Sequence, residues 1–314
     1  MTNYHKFNLF TFLAISTLCQ ASYEQNDKLC FHLRREDRKT NEIVEPSLIV
    51  VNYTVQPTLE DSNASLQKAR VSTHYMIDKD GTIYETMHET PKAITHIDKE
   101  YLQRRAWHAG HGYWNGDKQE ITDINSHSIG ILFVNQGALP KDNPNVLTTD
   151  TSNTTQWFDF TPEQQSAFVN ICQQLKDAYQ INDKDIVGHG EVAINPTTKS
   201  LGRKVGPGPR FPWKKSAEDG VGLFHNVKEY EFTEPCSGSI NNVQELLQTY
   251  GYSVQVTGQE DEQTKQAILE FQIHHDPQHI DGDVKSCRIQ HILVSLINQH
   301  VAKKIGYLFA PDNK

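Results

Sequence analysis

The chain has 314 residues, with 37% hydrophobic and 22% charged side chains, which allows two modest cores beneath a polar surface. Its formal charge of −9 speaks against the clustered basic face that nucleic-acid binding requires. After the N-terminus no apolar run reaches about 18 residues, so no transmembrane segment is expected in the mature chain.

The first elements in chain order concern export. His5 and Lys6 precede an apolar stretch from Phe7 to Leu18, which has the length and shape of a signal peptide spanning 1–21. Lipid anchoring at Cys19 is the competing reading, and bulky Leu18 just before it counts against that. Either way the product is exported, to a periplasm, a cell envelope or the medium. Export makes disulfides possible. Cys30, Cys172, Cys236 and Cys287 remain, and three pairings are open. Cys172 shares an apolar helix face with Phe168, Leu175 and Tyr179 and reads as a buried thiol. A bridge between Cys236 and Cys287, which flank the C-terminal segment, is the pairing their placement suggests.

A charged lead-in over 22–45 is followed by a strand at "LIVVN", a run of β-formers ending at Asn52. Residues 61–70 read as a helix capped by Asp or Ser. "VSTHYMIDKDGTIYETM" (71–87) reads as a hairpin turning at Asp80-Gly81. "SIGILFVN" is apolar on both faces and reads as a central strand. Residues 138–156 read as a long surface loop. A helix then starts at Thr161, with Pro162 in its first turn and Gln164 completing a capping box. "DIVGHGEV" is a short strand entering a helix, and "GRKVGPGPRFPW" is a proline-stiffened loop. Strands mixed with helices indicate an α/β domain. After a linker at 227–239, three helical patterns over 240–300 form a small bundle, with a tail at 301–314.

"VSTHYMIDKDGTIYE", "AWHAG", "SIGI", "DIVGHGEVA" and "KVGPGPRFPW" occur in this order. Together they make residues 46–226 resemble the zinc-dependent N-acetylmuramoyl-L-alanine amidases of the type-2 family, relatives of peptidoglycan recognition proteins. "LLQTYGYSV", "TKQAILEFQIHH" and "IDG" make the tail similar to the peptidoglycan-binding helical domain that often follows. The resemblance implies a mixed β-sheet flanked by helices plus a C-terminal three-helix domain. It also implies cleavage of the amide between muramic acid and L-alanine by a zinc ion with an open position.

Carried over residue by residue, the resemblance places Asn52, His189 and Gly206 at the three zinc-ligand positions, Leu132 at the general-base position and Lys204 at the oxyanion-donor position. Only His189 is a metal ligand by type. Leucine accepts no proton, glycine offers no donor, and an amide oxygen is a poor partner for zinc. No intact catalytic set is therefore expected, and no cofactor. Among the other histidines, His74 reads as packed, His108 and His111 as flanking a turn, and His96 and His127 as non-ligands. Asn52, Trp107, His108, Trp114, His189 and Lys204 are the candidate substrate-binding residues, with Phe211 and Trp213 as further aromatic walls. The leading reading is an exported peptidoglycan- or muropeptide-binding protein with a degenerate amidase domain. An active amidase with a non-standard zinc site, and an envelope protein that binds a protein partner or an active hydrolase, are the alternatives.

Overall fold

The computed structural model describes residues 45–69, 71–86, 92–97, 102, 106, 108–109, 112, 114–116, 119–121, 123–140 and 155–309. The signal-peptide and lead-in readings, Cys19, Cys30, Trp107 and His111 lie outside the described residues.

Among these residues, the amidase-like part begins with strand β1 (Leu48–Tyr53), helix α1 (Leu59–Ala69), and strands β2 (Tyr75–Ile77), β3 (Ile83–Glu85) and β4 (Lys92–Ile94). Strands β5 (Trp114–Gly116) and β6 (Gln119–Ile121), helix α2 (Ile124–His127) and strands β7 (Ser128–Phe133), β8 (Ala138–Pro140) and β9 (Thr155–Trp157) follow. Helix α3 (Pro162–Tyr179), strand β10 (Ile186–Gly188) and the short helices α4 (His189–Val192) and α5 (Trp213–Glu218) complete it. The C-terminal part is α6 (Ile240–Tyr250), α7 (Glu262–His275) and α8 (Cys287–Phe309).

The main sheet has the order β10-β1-β7-β2-β3-β4. Strands β10, β1, β7 and β2 run parallel, while β3 and β4 are antiparallel, so the sheet is mixed. The apolar run of β7 is buried throughout because β1 and β2 flank it on both sides. The hairpin turns where expected: Gly81 has φ +83°, and Thr82 N–H donates to Asp80 Oδ1 at 2.8 Å.

Side chains alternate along a strand, so β1 and β7 each divide between two faces. Ile49, Val51, Ile129, Ile131 and Phe133 pack beneath α3, against Phe168, Ile171, Cys172 and Leu175. Helix α3 starts as the sequence indicates, with Thr161 Oγ1 accepting from Gln164 N–H at 3.0 Å and Gln164 Oε1 accepting from Thr161 N–H at 3.1 Å. Leu48 and Val50 face the other way, into a core shared with Val243, Leu247, Tyr250, Tyr252 and Phe271 of the helical part.

Three sequence expectations change. Helix α1 begins at Leu59, because Thr58 Oγ1 accepts Asp61 N–H at 3.1 Å and so caps it ahead of Asp61. The stretch expected as loop at 138–156 begins with strand β8 and runs into its partner β9. Helix α8 continues to Phe309, past residue 300, where the sequence reading ended the bundle. Cys236 and Cys287 form a disulfide, and Cys172 is a buried free thiol. No helix among the described residues is long and apolar enough to cross a membrane.

Candidate functional site

Because β1, β7 and β10 are parallel, their C-terminal ends meet at one edge of the sheet. Register places Asn52 beside Leu132 and Val51 beside Gly188, and His189 follows β10 directly. The proline-stiffened loop returns to this edge, where Gly190 N–H donates to the Gly206 carbonyl at 2.9 Å. Asn52, His189 and Gly206, far apart in sequence, therefore converge.

Their geometry is specific. Asn52 Nδ2 lies 2.7 Å from His189 Nδ1. An amide nitrogen only donates, so this ring nitrogen is the acceptor and the proton resides on Nε2, 3.3 Å from the Ala109 carbonyl. That carbonyl also accepts from Arg203 Nη2 at 3.2 Å, and Arg203 Nε donates to Ile194 O at 3.1 Å. Burial, then the Arg203 charge, pull the His189 imidazole down to about 3, with Lys204 adding to the shift and the Ala109 hydrogen bond opposing it. His189 is thus neutral, with its Nδ1 lone pair engaged by Asn52.

Gly206 is buried against the same amide. A Cβ built there would lie 1.8 Å from Asn52 Oδ1. Its φ is not among the positive glycine values, so space, and not a left-handed backbone, demands glycine. Leu132 is buried in an apolar cluster with Leu59, Met76, Tyr84 and Val134. The residues present do not fit a zinc ion: one imidazole nitrogen is taken, one position has no side chain, and the Asn52 oxygen fills the space beside it.

Lys204 is exposed. Two other candidate binding residues are not open walls. Trp114 is fully buried between the two parts of the chain, edge-on to Tyr250 and Tyr252, and its Nε1–H donates to Asp185 Oδ1 at 3.1 Å. The His108 ring lies over Gly130 of β7, where an added Cβ would meet its Cγ at 2.5 Å, and its Nε2 is 2.9 Å from Ser128 Oγ. Phe211 and Trp213 are core residues. His74 is packed, accepting Gly130 N–H at Nδ1 at 3.0 Å.

The sequence reading missed the aromatic pair beside the convergence point. Tyr53 and Trp157 meet edge-to-face at 6.4 Å and are only partly buried. Trp157 covers Gly208 and Tyr53 covers Gly137, since a Cβ at either glycine would fall within 2.1 Å and 1.9 Å of the respective ring. Burial, aided by the Glu270 carboxyl, pushes the Tyr53 phenol up to about 12. Tyr53 directly follows Asn52, a signal that was available. Trp157 directly follows the segment read as loop, 138–156, and was not singled out.

A mixed sheet whose parallel strands end at one edge, where Asn52, His189 and Gly206 converge, joined to a three-helix module, defines an amidase-like α/β protein with an appended helical domain. The chain belongs to the N-acetylmuramoyl-L-alanine amidase family, whose profile matches residues 42–209, and a peptidoglycan-binding domain profile matches residues 237–284. It is 27% identical over 239 residues to a Rickettsia conorii protein provisionally named an N-acetylmuramoyl-L-alanine amidase, covering 73% of this chain and 74% of that one. It is 26% identical over 241 residues to the N-acetylmuramoyl-L-alanine amidase AmiD of Escherichia coli, covering 75% and 77%. The fold matches a solved structure of Escherichia coli AmiD in complex with anhydro-N-acetylmuramic acid-L-Ala-D-gamma-Glu-L-Lys, with a TM-score of 0.59 at 24% identity over 87% of this chain and 99% of that one.

Proposed function

We propose that this chain is an exported peptidoglycan-binding protein whose amidase domain keeps the groove but not the hydrolytic machinery. The observation that carries the reading is the Asn52–His189 hydrogen bond packed against Gly206. At the three positions that the family resemblance gives to zinc, this chain has a closed amide–imidazole contact. Leu132, in the place of the general base, is apolar and buried, so no carboxylate is there to move protons.

Binding has separate support. The family's muropeptide ligands, one of which is bound in the related amidase structure, combine sugar faces with a charged peptide stem. Tyr53 and Trp157 offer aromatic surface beside the groove, and Lys204 offers an exposed cation for a carboxylate of the stem. The peptidoglycan-binding profile over the helical domain supplies a second point of attachment. Incubating the mature chain, with added zinc, on purified sacculi tests the reading. Binding to the insoluble wall without release of peptide stems is expected. Zinc-dependent stem release, abolished by His189→Gln, would overturn it.

A further inference from the structure

Helix α4 of the amidase-like domain and the end of α7 in the helical domain meet across the seam between them. Glu191, His274 and His275 come together there, 2%, 3% and 0% exposed. One donor atom from each lies within 4.8 Å of the other two. Glu191 acts as an acceptor at both oxygens. Tyr252 O–H donates to Oε1 at 2.5 Å, while Gly188 N–H and His274 Nδ1–H donate to Oε2, the latter at 2.8 Å.

The histidines are not satisfied in the same way. His274 Nε2 and both ring nitrogens of His275 are buried with no hydrogen-bond partner. Packing fixes both rings: Trp213 stacks on His274, and His274 on His275, each at 3.8 Å between centroids. Buried polar atoms normally find a partner, so three orphaned imidazole nitrogens beside a buried carboxylate call for one. Burial also pulls both imidazoles well below their usual range, which keeps their lone pairs free for a Lewis acid. The end of a helix favours positive charge at this spot.

We propose that Glu191, His274 and His275 form a binding site for a zinc-like divalent cation that ties the helical domain to the amidase-like domain. Two imidazoles and one carboxylate suit zinc better than magnesium or calcium, which prefer all-oxygen shells. On binding, the His274 proton moves from Nδ1 to the unpartnered Nε2, so the still-neutral imidazole and the Glu191 carboxylate both face the ion. His275 supplies the second imidazole, and the remaining position is open to water. The site uses none of Asn52, His189 and Gly206, although Glu191 shares helix α4 with His189, and it does not depend on how those three are read.

The full mature chain, stripped with a chelator and dialysed against Zn²⁺, tests this by metal analysis and thermal melting. One equivalent of zinc per chain and a raised melting temperature are expected, with both lost in Glu191→Gln and His275→Gln and kept in His189→Gln. Circular dichroism identifies which variants are folded. If neither seam variant folds, Co²⁺ loaded into the unmodified chain decides: intense visible bands of a low-coordinate histidine site support the proposal, and a spectrum like aqueous cobalt overturns it. Failure of the unmodified chain to retain zinc overturns this inference alone. Retention that His189→Gln abolishes and His275→Gln leaves intact places the ion in the groove, and overturns the functional reading as well.

Discussion

Gly206→Ala probes the centre of the groove. The new Cβ would fall 1.8 Å from Asn52 Oδ1 and 3.4 Å from Tyr53 Cδ1, so the amide must swing away. Overpacking of this kind costs about 1–3 kcal/mol. Swinging the amide also breaks its 2.7 Å contact with His189 and leaves a buried ring acceptor unpaired, which costs about 1–3 kcal/mol more. Alanine returns about 0.4–1 kcal/mol by restricting the unfolded chain, since the φ here is not left-handed. A net loss of about 1–5.5 kcal/mol follows. In an Asn52→Ala background the obstructing amide is gone, so the same substitution should be close to neutral, with a coupling of about 2 kcal/mol. Urea unfolding of the four proteins, with unchanged m-values, measures the cycle. An equal cost of Gly206→Ala in both backgrounds would refute the claim that Asn52 fills the space beside Gly206.

Other expectations follow from the same geometry. Removing the Cys236–Cys287 bridge, which spans 51 residues, should cost about 4 kcal/mol in the chain-entropy account, read as a lower denaturation midpoint of the Cys236→Ser/Cys287→Ser variant. In the metal-free chain, His108, His189, His274 and His275 are held neutral by burial, whereas burial raises Glu191 to about 7 and Glu270 well above its usual value. Between about pH 6.5 and 4.5 the unfolded state gains four histidine protons while the native state holds two glutamate protons. Stability should therefore fall with acidification by about 2.7 kcal/mol per pH unit, and a flat or rising profile in chemical denaturation would contradict this. Asn52→His, Leu132→Glu and Gly206→Asp together should restore zinc uptake when scored in a His275→Gln background, while each alone should not, because the groups act as a unit.

Much of the fold was legible because periodicity and capping are local. The apolar runs of β1 and β7, the Asp80-Gly81 turn and the Thr161 capping box all carry their signal within a few residues. Ordered motifs also placed Asn52, His189 and Gly206, and the sheet register and the loop at Gly206 bring these three together. What sequence could not supply is which partner a buried side chain meets. Trp114 reads as a candidate sugar platform, yet it fills the seam beneath Tyr250 and Tyr252. His274 and His275 enter the sequence reading only as the close of "TKQAILEFQIHH", and the docking of α7 against Glu191 gives them a setting. Composition likewise hid Trp157, because the polar residues around it outweigh the short β8–β9 pairing.

The most direct test is the fate of peptide stems on intact wall. The mature chain, loaded with zinc and mixed with purified sacculi, should sediment with the wall while the supernatant gains no free stem peptide. Zinc-dependent release of stems by the unmodified chain, lost on His189→Gln, would contradict the account.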